Sequence, residues 1–291
     1  MNKINYIELG ATLFIPAIHK NLKAVVCSDK YSGLKSVLID TEDGIKSDSL
    51  EIALKAIEEL LKIYEKKKLI VFIRPRNIEV LRRILKLENI NKINGFILPK
   101  FSLENAEGYF DLLKDDDFLI MPSIEGKELF NKNSLYELRD ILLKNRENIV
   151  LVRFGLEDML RQLKMKRSCE DTPFDFSVTS YVLGSFIATF KSAGFAISGG
   201  VYPCFKDDNG FIKDVKRDLR EGLFSKTIIH PRQIQLTNEL YRVTKEELKE
   251  ALEMFQSNEA LFNQNDKMAE VTTMKPQAQE VILRSKIYGV V

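Results

Sequence analysis

SVLIDTED, residues 36–43, is a β-branched and aliphatic run that stops on acids, and its reading sets the fold of the whole chain. Two further runs behave alike: FLIMPSIE (118–125) closes on Glu125, and IVLVRFG (149–155) leads into Asp158. Apolar on both faces, such runs suit strands of a parallel sheet covered by helices. ATLFIPA (11–17), LIVFIRPR (69–76), GFILPK (95–100), AISGGVYP (196–203) and KTIIHPRQI (226–234) raise the expected strands to eight. Helix-period segments lie between most of them. In 48–65, Leu50, Leu54, Ile57, Leu61 and Tyr64 share one stripe, and Asp48 with Glu51 predicts a capping box. Thr244 with Glu247 predicts another, and Pro276 is expected to open a last helix over about 276–287.

Eight strands alternating with helices predict an α/β fold, a (β/α)8 TIM barrel with a C-terminal helical extension. An open doubly wound sheet fits less well, because the first strand–helix turn lacks a Gly-rich phosphate loop. The barrel is expected over 1–255. Residues 256–275, polar and weakly periodic, read as a linker, so 256–291 would be linker plus extension.

Composition narrows the function classes. The 291 residues carry 44 basic and 42 acidic side chains, so no net charge draws the chain to nucleic acid. An apolar share of 45% supports a sizeable core. No run of roughly 18 apolar residues predicts a membrane span. Cys27, Cys169 and Cys204 are odd in number and lack metal-ligand spacing; with no secretion signal they suggest a reducing cytoplasm.

A closed barrel brings the C-terminal ends of its strands to one face, where active sites of this fold are built. Glu42, Asp43, Arg74, Arg76, Lys100, Glu125, Asp158 and His230 would meet there. One acid after one strand is more often a helix cap or a charge partner. A whole set of acids on separate strands is better explained by a cation, and Mg²⁺ characteristically takes one or two protein carboxylates and leaves the rest to water and substrate. Glu125 and Asp158, from neighbouring strands, are the expected metal ligands. Arg74 offers a fork for a carboxylate; Arg76 and Lys100 either balance charge or touch substrate. His230 and His19 read as structural. No nucleophile elbow and no zinc spacing is present.

In order, LFIPA, IDTEDGI, FIRPR, ILPK, SIEGKELF, RFGLED, SKTIIHPRQI and DKMAEV resemble the HpcH/HpaI aldolase and citrate lyase β-subunit family across residues 9–290. The resemblance implies a Mg²⁺-dependent carbon–carbon lyase acting on a hydroxy- or keto-carboxylic acid, commonly a β-hydroxyacyl thioester of coenzyme A, and often a trimer. It places the metal on Glu125 and Asp158 and substrate binding on Arg74, Glu42 and Lys100. It places catalytic roles on Asp43, in the acidic pair, and on Glu270, from the C-terminal segment of the same or a neighbouring subunit. Gly10 and Ala11 stand where the family has an Arg-Ser pair, which removes one expected anion-binding guanidinium. A strand 7 aspartate is missing from Ser198-Gly199-Gly200. The chain therefore sits closest to an atypical branch, and the rival expectation is a barrel kept as a non-catalytic subunit or scaffold.

Overall fold

The computed structural model describes residues 4–65 and 68–291. Seven parallel strands form the sheet: β1 (Thr12–Pro16), β2 (Ser36–Asp40), β3 (Ile70–Arg74), β4 (Gly95–Leu98), β5 (Leu119–Ile124), β6 (Arg153–Phe154) and β7 (Thr227–Ile228), in the order β6-β5-β4-β3-β2-β1-β7. Between β6 and β7, residues 196–199 supply only the bridges Val152–Ile197 and Ser198–Phe224. Backbone bonds run on both sides of this segment: Val152 N–H to Ala196 O at 2.9 Å and Ser198 N–H to Val152 O at 3.2 Å on one, Phe224 N–H to Ile197 O at 3.1 Å, Gly199 N–H to Phe224 O at 3.2 Å and Thr227 N–H to Gly199 O at 3.3 Å on the other. These residues fill the seventh of the eight strand positions in chain order and close the barrel. The expected strand 196–203 is thus reduced to a bridge segment. Glycines weaken a strand interior, and a Cβ on Gly199 would meet Asp218 Oδ2 at 2.3 Å.

Side chains alternate across each strand, and the phase explains what fills the barrel. At the lower end Thr12 Oγ1 lies 2.8 Å from Ser36 Oγ and 3.1 Å from Ser225 Oγ. Above them Leu38, Phe72, Ile97, Met121 and Leu151 form a buried apolar layer, with Phe14 packed against it. Two residues further along each strand come Asp40, Arg74, Ser123 and Arg153. The chain therefore stacks polar, apolar and ionic layers by repeating one period-2 pattern.

Around the barrel lie α1 (Leu22–Cys27), α2 (Leu50–Ile63), α3 (Ile78–Ile84), α4 (Ala106–Leu113), α5 (Lys132–Lys144), α6 (Leu156–Gln162), α7 (Ser177–Ser192), α8 (Asp208–Arg220) and α9 (Arg232–Leu240). The predicted stripe of α2 is real: Leu54, Ile57, Leu61 and Tyr64 are buried. Its capping box is not. Asp48 accepts from Ser49 Oγ, and Glu51 pairs with Arg83 at 2.7 Å. Helix α8 is held by a buried ionic set in which Lys226 Nζ meets Asp218 at 2.6 Å and also Asp214, which Arg167 contacts at 2.7 Å. Two of the cysteines are paired: Cys169 and Cys204 form a disulfide with Cα atoms 5.8 Å apart, tying the segment between α6 and α7 to the loop after the bridge segment. Reading the cysteines as an odd set in a reducing cytoplasm did not foresee this bond, and a separation of 35 residues gives sequence reasoning no signal for the pairing.

The chain divides into two compact units, Met1–Ile234 and Gln235–Val291. The second contains α10 (Lys245–Gln256), β8 (Leu261–Gln264), β9 (Lys267–Glu270) and α11 (Val271–Tyr288). Thr244 and Glu247 form the expected capping box. The stretch read as a linker folds instead as the antiparallel hairpin β8–β9. Asn265 and Asp266, with φ of 51° and 61°, make its turn, a left-handed pair that short polar side chains tolerate. Helix α11 starts five residues before Pro276 and runs through it. Packing of Ala278, Val281 and Ile282 against Ala251, Met254 and Ala269 outweighs the lost hydrogen bond. Among the described residues no helix is long and apolar enough to cross a membrane.

Candidate active site

Strand ends bring five acids and three cations to the upper mouth of the barrel. Asp40, the last residue of β2, accepts from Arg74 Nε at 2.7 Å and Nη2 at 2.9 Å. Its second function is local: Oδ1 and Oδ2 also accept the N–H groups of Glu42 and Gly44, at 3.0 and 2.8 Å, folding the acidic loop over the strand. Burial would raise the Asp40 carboxyl, but the Arg74 hydrogen bonds and charge hold it below the usual range. Burial likewise opposes the Arg74 cation, and Asp40 and Glu42 more than compensate. Arg76 does not point at this site. Its guanidinium clamps the loop through Glu42 O at 3.1 Å, Ile45 O at 2.8 Å and Ser47 Oγ at 2.8 Å.

Glu42 is buried between Arg74 Nη1 at 2.9 Å and Lys100 Nζ at 2.5 Å. Asp43, by contrast, has a side chain 60% exposed and stands 3.8 Å from Arg74 and 3.7 Å from Lys100. Lys100 adopts a left-handed backbone, φ 47°, which aims its N–H at Glu125 Oε1, 2.5 Å away. That single residue therefore touches two carboxylates, one by its ammonium and one by its backbone.

Glu125 differs from its neighbours. Among the described residues it makes no salt bridge, and its other oxygen has only Ser123 Oγ at 3.4 Å. Burial first, then the nearby Glu42 and Asp158, push its carboxyl up to about 7, against the Lys100 N–H. Asp158, in the first turn of α6, is close enough to contribute, and Gln162 Nε2 ties the two backbones through Glu125 O at 2.7 Å and Asp158 O at 3.2 Å. The partner of Asp158, Arg161 at 2.6 Å, is 70% exposed and easily displaced.

Among the described residues no three His, Cys, Asp or Glu side chains form a ready-made cage. The donor set still fits Mg²⁺: hard oxygen ligands, two in number, one of them a buried carboxylate with no cation of its own. Gly155 makes the room. A Cβ there would come within 2.0 Å of Glu125 Cβ and 2.7 Å of Oε2. Gly155→Ala is therefore expected to displace Glu125 and weaken Mg²⁺ binding at least tenfold by calorimetry, at an overpacking cost of about 1–3 kcal/mol. Size does not select this site: a surface cavity of about 500 Å³ beside Tyr136 and Tyr181 holds no carboxylate at all.

Other expected residues lie elsewhere. Gly10 precedes β1, whose Thr12 pairs with Ser36 at the lower end, whereas the mouth is at Pro16 and Asp40. An arginine lost at Gly10 would not have stood beside the acids of this chain, which corrects the expectation of a missing guanidinium at the site. His230 Nδ1 accepts the Arg232 N–H at 3.2 Å and its ring stacks on Phe205, a structural role. Glu270 ends β9 in the second unit. Asp40 and Arg153 are the site residues overlooked by looking only past the end of each apolar run; the alternation phase of Leu38 and Leu151 would have found both.

A family model described as a C–C bond lyase of the TIM-barrel fold matches residues 3–290. The citrate lyase β subunit of Escherichia coli K12 is 27% identical over 151 residues, 50% of this chain and 48% of that protein, so the match spans about half its length. The Haemophilus influenzae β subunit is 22% identical over 226 residues, 74% of this chain and 75% of that protein. Among solved structures, a citrate lyase from Burkholderia xenovorans superposes with a TM-score of 0.76 at 15% identity, covering 97% of this chain and 93% of that one. CitE from Mycobacterium tuberculosis, in complex with magnesium, acetoacetate and coenzyme A, superposes with a TM-score of 0.71 at 18% identity, covering 97% and 99%. At these identities the structural likeness establishes the fold alone.

Proposed function

Since the chain belongs to the C–C bond lyase family of the TIM-barrel fold, we propose that it is a Mg²⁺-dependent lyase making or breaking a carbon–carbon bond in a small hydroxy- or keto-carboxylic acid. The observation that carries this reading is Glu125, a buried carboxylate near Asp158 that, among the described residues, forms no salt bridge. Glu125 and Asp158 would hold the metal, which supplies Lewis acidity to the oxygens of the reacting acid. The M. tuberculosis neighbours bound to magnesium with acetoacetate or oxaloacetate agree with that chemistry. A coenzyme A thioester is the proposed activated form of the substrate, again in line with one of those complexes.

The remaining residues prepare the mouth. Burial raises the Glu42 carboxyl above its ordinary value, and the charges of Arg74 and Lys100 oppose that rise. Asp43, exposed 3.8 Å from Arg74 and 3.7 Å from Lys100, is the group proposed to exchange a proton with substrate or water. Glu270 acts as the acid or base delivered by the C-terminal unit, in the same copy or in an adjoining one of a homo-oligomer. Its replacement, Glu270→Gln, should bind ligand as wild type does and lose about 100-fold or more in turnover.

Calorimetric titration of Mg²⁺ together with oxaloacetate, pyruvate or glyoxylate tests the metal assignment. Wild type should bind the acid only with the metal, and a Glu125→Ala, Asp158→Ala double variant should show no such dependence. Metal-dependent binding retained in that variant would sink the reading.

A further inference from the structure

Arg153 stands at the centre of the mouth without an anion. It follows Leu151 of the apolar layer by two residues, so its side chain enters the barrel, where it is 5% exposed. Its Nη2 donates to Thr227 Oγ1 and its guanidinium stacks over Phe14, 5.2 Å from the ring centroid. Its Nη1 is buried with no hydrogen-bond partner, and among the described residues no carboxylate forms a salt bridge with it. Burial and the charge of Arg74 together lower its affinity for its proton to about 9, with Glu125 acting in the opposite sense.

A buried charge without a counterion is costly, commonly by several kcal/mol, and folding alone gives no reason to keep it. Arg74, the obvious anchor for an acid, has already spent Nε and Nη2 on Asp40 and has Nη1 beside Glu42. The mouth thus holds one buried acid lacking a cation, Glu125, and one buried cation lacking an acid, Arg153, near enough to feel each other yet forming no salt bridge. A divalent metal bound to a small carboxylic acid satisfies both at once.

We propose that Arg153 is a substrate-positioning residue that grips the carboxylate of the keto or hydroxy acid, its unpaired Nη1 supplying the hydrogen bond. The inference deepens the lyase reading and rests on it for the identity of the acid. A charge-assisted hydrogen bond of this kind is worth a factor of about 10–100 in binding.

The test is Arg153→Met, which fills the space beside Phe14 without charge. Binding of pyruvate and oxaloacetate with Mg²⁺, of Mg²⁺ alone, and thermal melting are all measured. The expected result is acid binding about 10–100-fold weaker, Mg²⁺ alone bound as well as in wild type or better, and a melting temperature no lower. Acid binding within twofold of wild type would overturn the proposal. Should Arg153→Met melt below wild type, Arg153→Lys decides: it keeps a charge and loses the fork, so weaker acid binding supports the proposal and unchanged binding refutes it. Wild type that binds the acid without needing Mg²⁺ removes the metal reading and leaves Arg153 to be judged by the variants. Wild type that binds no acid under any condition removes both.

Discussion

Arg74→Ala is expected to lose about 3–5 kcal/mol of stability at pH 7, a large share of the roughly 5–15 kcal/mol that holds an ordinary domain together. The reason is what it leaves behind. Asp40, 3% exposed, would keep its two loop N–H groups but lose both guanidinium bonds, and Glu42, 5% exposed, would keep only Lys100. Because Asp40 is held below its ordinary value in the folded protein, the stability that this pairing contributes is present above the unfolded carboxyl value and disappears as pH falls through the folded one. Wild type and Arg74→Ala should therefore converge in acid. Urea denaturation at pH 7 and pH 3 measures both halves. An Arg74→Ala protein as stable as wild type at pH 7 would mean that Asp40 is solvated in solution.

The second large effect is a dependence on pH with opposite sign. Glu125 is raised in the folded chain to about 7 from an ordinary 4.5. Its contribution to stability is then fully present below 4.5 and is lost as pH rises through 7, roughly 3 kcal/mol in all. Metal-free protein should lose this increment between pH 4.5 and pH 8, and Glu125→Gln should reduce the slope by the same amount. Mg²⁺ competes with the same proton, so its apparent affinity should fall about tenfold for each pH unit below 7 and level off above it. Denaturation with and without Mg²⁺, together with calorimetry across pH 5.5–8.5, checks both. A Mg²⁺ affinity that is flat with pH would place the metal away from Glu125.

Much of this architecture was legible in residues alone, and the parts that were not have physical reasons. Acids after apolar runs marked β2, β5 and the turn into α6, because a strand end at a barrel mouth is where charge can meet solvent. The inner layer was harder to see. Reading the strands as apolar on both faces hid Asp40 and Arg153, which occupy inward positions within the runs rather than beyond them. The hairpin β8–β9 was missed because its strands are half exposed and polar, so it carries little hydrophobic signal. Capping by Asp48 failed for a different cause: a tertiary partner, Arg83, claimed Glu51. Gly10 misled because position in a motif says nothing about which end of a strand it occupies.

At its seventh position the barrel is stitched by two isolated bridges instead of a ladder. That makes the bridge segment between β6 and β7 the part of the wall with the least regular pairing, where local opening is expected first. The Cys169–Cys204 link joins the segment between α6 and α7 to the loop that follows it. It works there as a rivet. A line of sparse pairing in the wall is fastened there by a covalent bond.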